Sequence, residues 1–232
     1  MLNFLFPKEC LVCLKVGSLL CNRCKKNLFP TLPNCYICKK LSNGYITHRG
    51  CKKQDSLESI ITFWKYNEYS KKLIHNFKYK DRFQVSDFLF CLFEKKLEKI
   101  NFANSLLIPL PSHKRKTLER GFNPTQLICQ LIAKKLKIDV NYNLIFKKEM
   151  NISQASLEYE KRRENVKNIF GINEKEIQKV KKYKQIIILD DIITTGATIN
   201  EVSREMKKFL EKDIVIQGIC LFQGSFRKKQ MV

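Results

Sequence analysis

The sequence predicts an α/β protein in which a mostly parallel sheet, flanked by helices, follows a small metal-binding domain. Segments rich in β-branched residues alternate with longer helical patterns, which is typical of a parallel sheet covered on both faces. Seven of the ten cysteines lie within the first 51 residues, so composition sets this region apart. We therefore predict a zinc-finger domain over residues 1–54 and an α/β domain over residues 55–232.

Hydrophobic periodicity and helix-start signals predict the elements of the α/β domain in chain order. The predicted strands are 59–66, 105–110, 185–189 and 214–222. The predicted helices are 69–77, 84–100, 124–137, 155–165 and 198–212. Pro124 suits the first residue of a helix, where its missing N–H costs nothing. Cys91, Cys129 and Cys220 lie in apolar patterns and are predicted to be buried.

The N-terminal cysteines form pairs separated by two residues, a spacing that lets both side chains reach one metal ion. A fourth pair is mixed, and the segment offers eight ligands, enough for two tetrahedral zinc sites: Cys10, Cys13, Cys21, Cys24, Cys35, Cys38, His48 and Cys51. Sequential pairing assigns four consecutive ligands to each ion, and interleaved pairing stays open. The alternatives are a disulfide framework and, for His48, an ordinary surface histidine.

The expected compartment favours metal over disulfides. The N-terminus lacks a basic leader region, and Pro7, Lys8 and Glu9 interrupt its apolar stretch, so we do not expect a cleaved signal peptide. No apolar run approaches the roughly 20 residues of a membrane helix. We expect a cytoplasmic protein without membrane insertion, where thiols stay reduced.

The net charge of +22 is concentrated in two basic blocks. Residues 1–54 carry +9 and residues 111–185 carry +10, whereas the rest of the chain is nearly neutral. Contact with a polyanion, above all nucleic acid, explains such a pattern, and solubility is the alternative. Aromatic residues near the first block are candidates for stacking on bases, although the core is favoured for the first two: Phe4, Phe6, Tyr36 and Tyr45.

The segment from Ile186 to Thr198 carries the clearest chemical motif. Four apolar residues predict a buried strand, Asp190 and Asp191 follow it, and a small hydroxyl-rich turn opens a helix. Backbone N–H groups at a helix start favour an anion, and Gly196 permits a close approach of the backbone. The paired carboxylates suit sugar hydroxyls and, through water, Mg²⁺. The alternative is an ordinary strand, turn and helix with a polar cap.

This motif resembles the phosphoribosyl pyrophosphate (PRPP) loop of type I phosphoribosyltransferases. Three further segments resemble the ComF/GntX family in particular: Ile108 to Ser112 with Arg120 to Asn123; Phe77 to Lys80; and Gln154, Arg163 and Asn165. The metal pairs before the domain also match, with His48 where cysteine is more usual. The resemblance covers essentially the whole chain, and the combination is far more specific than any single motif.

The resemblance implies a type I phosphoribosyltransferase-like fold and a site for PRPP with Mg²⁺. Asp190 and Asp191 would then hold the ribose and, indirectly, the metal, as catalytic residues together with Arg120. The 5′-phosphate would bind at Ile192, Ile193, Thr194, Thr195, Gly196, Ala197 and Thr198. The pyrophosphate would face Pro111, Ser112 and Arg120, with Lys78 as a weaker candidate.

The resemblance also implies a competence protein that handles incoming single-stranded DNA during natural transformation, with partners such as a DNA translocase. Two alternatives remain at this level: a metabolic phosphoribosyltransferase acting on a base or amine, and a non-catalytic zinc-finger adaptor. The charge and the metal pairs favour the competence protein over the metabolic enzyme. The complete acidic and threonine motif argues against a decayed site. Nothing in the sequence identifies an acceptor for the phosphoribosyl group.

Overall fold

The computed structural model describes residues 8–79, 82–98, 100–148 and 168–224. Outside these residues lie the predicted helix over 155–165 and several motif residues: Phe4, Phe6, Lys80, Gln154, Arg163 and Asn165. The described strands are β1 (Ser59–Lys65), β2 (Ser105–Pro109), β3 (Asp139–Val140), β4 (Ile145–Lys147), β5 (Phe170–Ile172), β6 (Gln185–Ile193) and β7 (Val215–Gln223). The described α-helices are α1 (Asn22–Lys25), α2 (Glu68–Tyr79), α3 (Arg82–Leu97), α4 (Lys114–Arg120), α5 (Pro124–Leu136), α6 (Glu174–Val180) and α7 (Ala197–Met206).

Five strands form one sheet in the order β1-β7-β6-β2-β3, and every neighbouring pair in it is parallel. The central strand β6 pairs with β2 through Leu107 and Ile187, and with β7 through Ile187 and Gln217. Residues 186–189 of β6 are each at most 1% exposed because both faces of the sheet are covered. Strands β4 and β5 form a separate antiparallel pair. The predicted fold class, a mostly parallel sheet flanked by helices, is confirmed.

Strand β6 is longer than predicted. The prediction ended it at residue 189, where acidic side chains begin, but the ladder to β7 continues to Ile193. Asp190 pairs opposite Cys220, and Ile192 pairs opposite Phe222. The backbone bonds to a long neighbouring strand outweigh the low strand preference of aspartate. Both acids therefore belong to the strand itself and are held by the ladder.

Three short described helices, α1, α4 and α6, were not predicted. They have four, seven and seven residues, too few for a clear helical period in the sequence. Helix α4 ends at Arg120 and is capped by Gly121, whose φ of 73° suits glycine. Helix α6 begins after Asn173, whose side chain accepts a hydrogen bond from the backbone N–H of Lys175. These local caps, and tertiary packing, fix helices that periodicity does not reveal.

The N-terminal segment shares its core with the sheet. Leu11, Leu20 and Leu28 belong to the same buried cluster as Phe63 and Trp64 of β1. Thr31 reinforces this contact, because its hydroxyl donates to the backbone oxygen of Thr62 over 2.5 Å. The assignment of residues 1–54 to a domain of their own stays a prediction.

Of the three cysteines predicted to be buried, Cys129 and Cys220 are fully buried, and Cys91 on α3 is exposed. The prediction for Cys91 is wrong because the apolar run around it is wider than the buried face of one helix. In the described part of the chain, no helix combines the length and the apolar character that a membrane crossing requires.

Candidate functional site

A cleft opens at the carboxyl ends of β2 and β6, the two central neighbours of the sheet. From β2 the chain continues to β3 on one side, and from β6 it continues to β7 on the other. In open α/β sheets this reversal of strand order leaves a crevice, and ligands bind there. The cleft has a volume of about 230 Å³. The predicted motif residues that line it are Lys78, Pro111, Ser112, Arg120, Asp190, Asp191 and Thr198.

The loop between β6 and α7, residues 194–196, is referred to below as the α7 loop. Gly196 precedes the helix with a φ of 83°, and a Cβ atom there would lie 2.7 Å from the ring of Tyr36. The hydroxyl of Thr195 accepts a hydrogen bond from the backbone N–H of Ala197 over 3.2 Å. A second, small cavity of about 30 Å³ lies against this loop and is lined by all seven residues predicted to bind the 5′-phosphate, Ile192 to Thr198. The start of α7, a ten-residue helix, favours an anion here.

The two acidic residues of β6 are partly buried and line the cleft. The backbone N–H of Asp191 donates to the side chain of Asp190 over 2.8 Å, and Lys78 from α2 forms an ion pair with Asp191. Burial, and then repulsion from Asp191, raises the pKa of Asp190 to about 8. A ligand that brings a cation or hydroxyl donors to this carboxyl group would offset both causes. Lys78, predicted as a pyrophosphate ligand, lines the cleft and contacts an acid in it.

The β2 side of the cleft is held by the start of α5. Ser112 donates to the side chain of Asn123 over 3.0 Å, and the same side chain caps α5 by accepting from the N–H of Thr125. Arg120 donates to the hydroxyl of Tyr79 over 2.9 Å, and its guanidinium lies 4.8 Å from the centre of that ring. The buried Nε of Arg120 has no hydrogen-bond partner among the described residues. A buried donor that lacks a partner is costly, so Arg120 is suited to receive an anionic ligand.

Three further basic residues line the cleft, His113, Lys116 and Lys147, and two of them, His113 and Lys147, were not predicted. Lys147 comes from the β4–β5 pair, which carries none of the predicted motif residues. Burial, and then the charge of Lys116, lowers the pKa of Lys147. An anion between two such cations relieves their repulsion. A single lysine in a short strand gives no sequence signal, because only the tertiary fold brings it to the cleft.

The eight predicted metal ligands form two groups in the sequential arrangement, which the sequence left open. Within each group the ligand atoms lie within 4.8 Å of one another. The first metal group is Cys10, Cys13, Cys21 and Cys24, and the second metal group is Cys35, Cys38, His48 and Cys51. The Cys13 and Cys21 sulfurs are 3.7 Å apart. This is close to the separation of about 3.8 Å for two thiolates on one tetrahedral zinc ion.

His48 is oriented as a metal ligand. Its Nδ1 lies 3.3 Å from the sulfur of Cys38, and its Nε2 lies 3.1 Å from the backbone oxygen of Leu41. A proton on Nε2 that is donated to Leu41 leaves Nδ1 unprotonated for a metal, as in many zinc sites. Burial raises the pKa of Cys35, but N–H donors from Cys38, His48 and Ile37 outweigh it and lower that pKa overall. Both metal groups can hold zinc ions.

The second metal group lies against the α7 loop. Tyr36 is fully buried and donates its hydroxyl to the side chain of Asn200 over 2.7 Å. Lys39 donates to the backbone oxygen of Thr194 over 3.1 Å. The suggestion that Tyr36 stacks on bases is therefore wrong, because its ring is inside the protein. Tyr45 is only half-buried, and base stacking by it stays a prediction.

Comparison with known proteins supports the resemblance seen in the sequence. A family model described as PRTase-CE matches residues 65–230. Competence protein F of Haemophilus influenzae is 28% identical, over 95% of this chain and 99% of that protein. DNA utilization protein YhgH of Escherichia coli O157:H7 is 24% identical, over 87% of this chain and 88% of that protein. Competence protein ComFC of Bacillus subtilis (strain 168) is also 24% identical, over 82% of this chain and 79% of that protein. The predicted resemblance to the ComF/GntX family is confirmed.

Proposed function

Because the chain belongs to the PRTase-CE family, we propose that it is a ComF-type competence protein whose cleft binds PRPP with Mg²⁺. We propose further that its basic surfaces bind incoming single-stranded DNA in the cytoplasm, where partners such as a DNA translocase would deliver the strand. The similarity to proteins named for competence and for DNA utilization supports this role. The residues of the cleft support the binding of PRPP with Mg²⁺.

The observation that carries PRPP binding is that three anion- and sugar-binding elements line the cleft and the small cavity that adjoins it. The acids of β6 line the cleft together with Ser112 and Arg120. The α7 loop lines the small cavity, which shares Asp190 and Thr198 with the cleft. A phosphoribosyl ligand presents a 5′-phosphate, a ribose and a pyrophosphate group, in that order. The three elements match these groups in chemistry, because helix-start N–H groups suit phosphate, carboxylates suit hydroxyls, and cations suit pyrophosphate.

Bound Mg²⁺ would neutralise part of the charge on the pyrophosphate as it leaves. The residues of this chain would do the rest. Asp190 and Asp191 would accept hydrogen bonds from the ribose hydroxyls and hold the ion through water. Arg120, Lys116 and Lys147 would face the pyrophosphate oxygens, where negative charge increases during transfer.

The test is calorimetric titration of the protein with PRPP, with and without Mg²⁺, followed by an assay for pyrophosphate release. We expect binding that depends on Mg²⁺. Release of pyrophosphate together with transfer of the labelled phosphoribosyl group to single-stranded DNA would identify DNA as the acceptor. Release with a free base or amine and not with DNA would favour the metabolic transferase. Absence of PRPP binding would contradict the proposal and leave the adaptor function.

We propose that both metal groups hold structural zinc, and we expect about two zinc ions per chain in protein purified without chelator. Each group offers four protein ligands, which fill all four positions of a tetrahedral zinc ion, as in structural zinc sites. Cys38→Ser should lower the content to about one ion. Cys91→Ser, an exposed cysteine outside both groups, is the matched control and should leave it unchanged. A content near one in the parent protein would remove the second group, including His48, from the metal assignment.

A further inference from the structure

We propose that Tyr36 is a positioning residue for the α7 loop and that it couples metal loading of the second metal group to ligand binding in the cleft. In this coupling, a metal ion orders the turn that carries Tyr36, and Tyr36 in turn holds the loop in its binding shape. The proposal rests on the proposed PRPP function only for its ligand. The structural coupling between the two sites stands on contacts within the chain.

Tyr36 reaches the start of α7 through both its hydroxyl and its ring. The hydroxyl donates to Asn200 in the first turn of α7 and accepts from the backbone N–H of Leu57 over 3.2 Å. The ring occupies the space beside Gly196, where any Cβ atom would clash. Tyr36 and Leu57 are buried, so loss of the hydroxyl leaves the N–H of Leu57 without its partner, and Asn200, which is partly buried, loses a hydrogen bond as well. The left-handed conformation of Gly196 and the position of the ring are therefore fixed together.

A second contact comes from the same turn. Lys39 donates to the backbone oxygen of Thr194, the first residue of the α7 loop. The turn thus contacts the loop at its first residue, at its last residue, and at the helix that follows. This is more than packing on a neighbouring surface, because the contacts are made to the backbone and to the glycine that give the loop its shape.

The metal matters because Tyr36 lies between two of its ligands, Cys35 and Cys38. The turn is closed by backbone bonds from Lys39 to Cys35 and from Cys35 to Lys40, over 2.8 and 3.0 Å. Around it the described chain has only isolated bridges and a short 3-10 turn in place of regular strands. Segments with so little regular structure depend on metal binding for their order. An ion on the second metal group would therefore hold Tyr36 and Lys39 at the loop.

Linkage makes the coupling reciprocal. If the ion favours the binding shape of the loop, a ligand in the cleft must favour retention of the ion by the same factor. The device would let an intact metal group set the affinity of the cleft. The catalytic acids play no part in it.

The first test is Tyr36→Phe, which removes the hydroxyl and keeps the ring. We expect the dissociation constant for PRPP to rise about 5- to 10-fold, with zinc content unchanged. The matched control is Tyr45→Phe, in the same segment, whose hydroxyl donates to the backbone oxygen of Thr62 away from the loop. Lys39→Met should also weaken binding, whereas Lys40→Met, its exposed neighbour, should not.

The second test needs no ligand. Amide hydrogen exchange should become faster across residues 194–200 in Tyr36→Phe and in the double variant Cys38→Ser, His48→Ala, which loses two partly exposed ligands. Exchange in β2 should stay as in the parent protein. If the parent protein fails to bind PRPP, the proposed ligand is wrong. Hydrogen exchange still tests whether the second metal group and Tyr36 order the α7 loop. Unchanged exchange at residues 194–200 in both variants would overturn the proposal, as would equal PRPP weakening by Tyr45→Phe.

Discussion

Replacing Asp190 and Asp191 together by asparagine should weaken binding of PRPP with Mg²⁺ by at least about 100-fold, since each lost charge-assisted contact contributes about 1.5–3 kcal/mol. The fold should tolerate the change. Asp190 lies where its own charge is disfavoured, as its raised pKa of about 8 indicates. An uncharged amide of the same shape removes this cost and the repulsion between the two acids.

Calorimetry with Mg²⁺ measures the loss of affinity, and thermal unfolding measures the stability. Asp213→Asn is the matched control: this acid precedes β7 at the amino ends of the strands and pairs with Lys184 over 3.1 Å. It should leave PRPP affinity unchanged. If the double variant binds PRPP like the parent protein, the acids are not the ribose and metal ligands. If Asp191→Asn alone causes most of the loss of PRPP affinity, then Asp191, the acid that Lys78 contacts, makes the larger contribution to binding.

The acids and the α7 loop could be predicted because their signal is local. A buried strand, two carboxylates and a small hydroxyl-rich turn occur in one continuous segment. In the structure the carboxylates line the cleft, and the turn lines the small cavity that shares Asp190 and Thr198 with it. The metal ligands are local for the same reason, because a two-residue spacing fixes two ligands on one turn. How the ligand pairs combine into two groups depends on which turns lie close together in the folded chain, so the sequence left sequential and interleaved pairing open.

Lys147 and Tyr36 show where prediction from sequence ends. Lys147 reaches the cleft only because the β4–β5 pair is brought to it, and its three-residue strand is too short to show a pattern. Tyr36 was a candidate for stacking on bases because it lies in a basic block, but the fold buries it against α7. Both positions depend on contacts between residues distant in the sequence, and a single chain gives no pattern for such contacts.

Binding to single-stranded DNA should fall about 50- to 300-fold when salt rises roughly fourfold, from about 50 to about 200 mM. This estimate takes roughly four to six phosphate contacts, each of which contributes a slope of about −0.7 to the salt dependence on single strands. Little sequence preference is expected, because stacking and phosphate contacts do not read base edges. Fluorescence anisotropy with labelled oligonucleotides of different sequence measures both properties.

The structure sharpens this experiment, because the two basic blocks can be tested with matched variants. Triple alanine replacement of Lys114, Arg115 and Lys116 removes three charges beside the cleft, and Lys116 also lines it. Triple replacement of Arg23, Lys25 and Lys26, exposed residues at and around α1, removes the same charge from the first block. The change in salt slope, divided by about 0.7, counts the phosphate contacts that each block makes.

The two variants separate DNA binding from PRPP binding. Helix α4 carries the first triple, and Arg115 on it already pairs with Glu119 over 2.9 Å, so part of its charge is used within the chain. If that variant keeps its affinity for DNA and loses affinity for PRPP, the cluster belongs to the phosphoribosyl site and the DNA surface lies elsewhere. If the salt dependence becomes less steep in both variants, the single-stranded DNA contacts both basic blocks. No measurable DNA binding by the full protein at about 50 mM salt, where the counterion contribution is large, would overturn the polyanion interpretation of the charge.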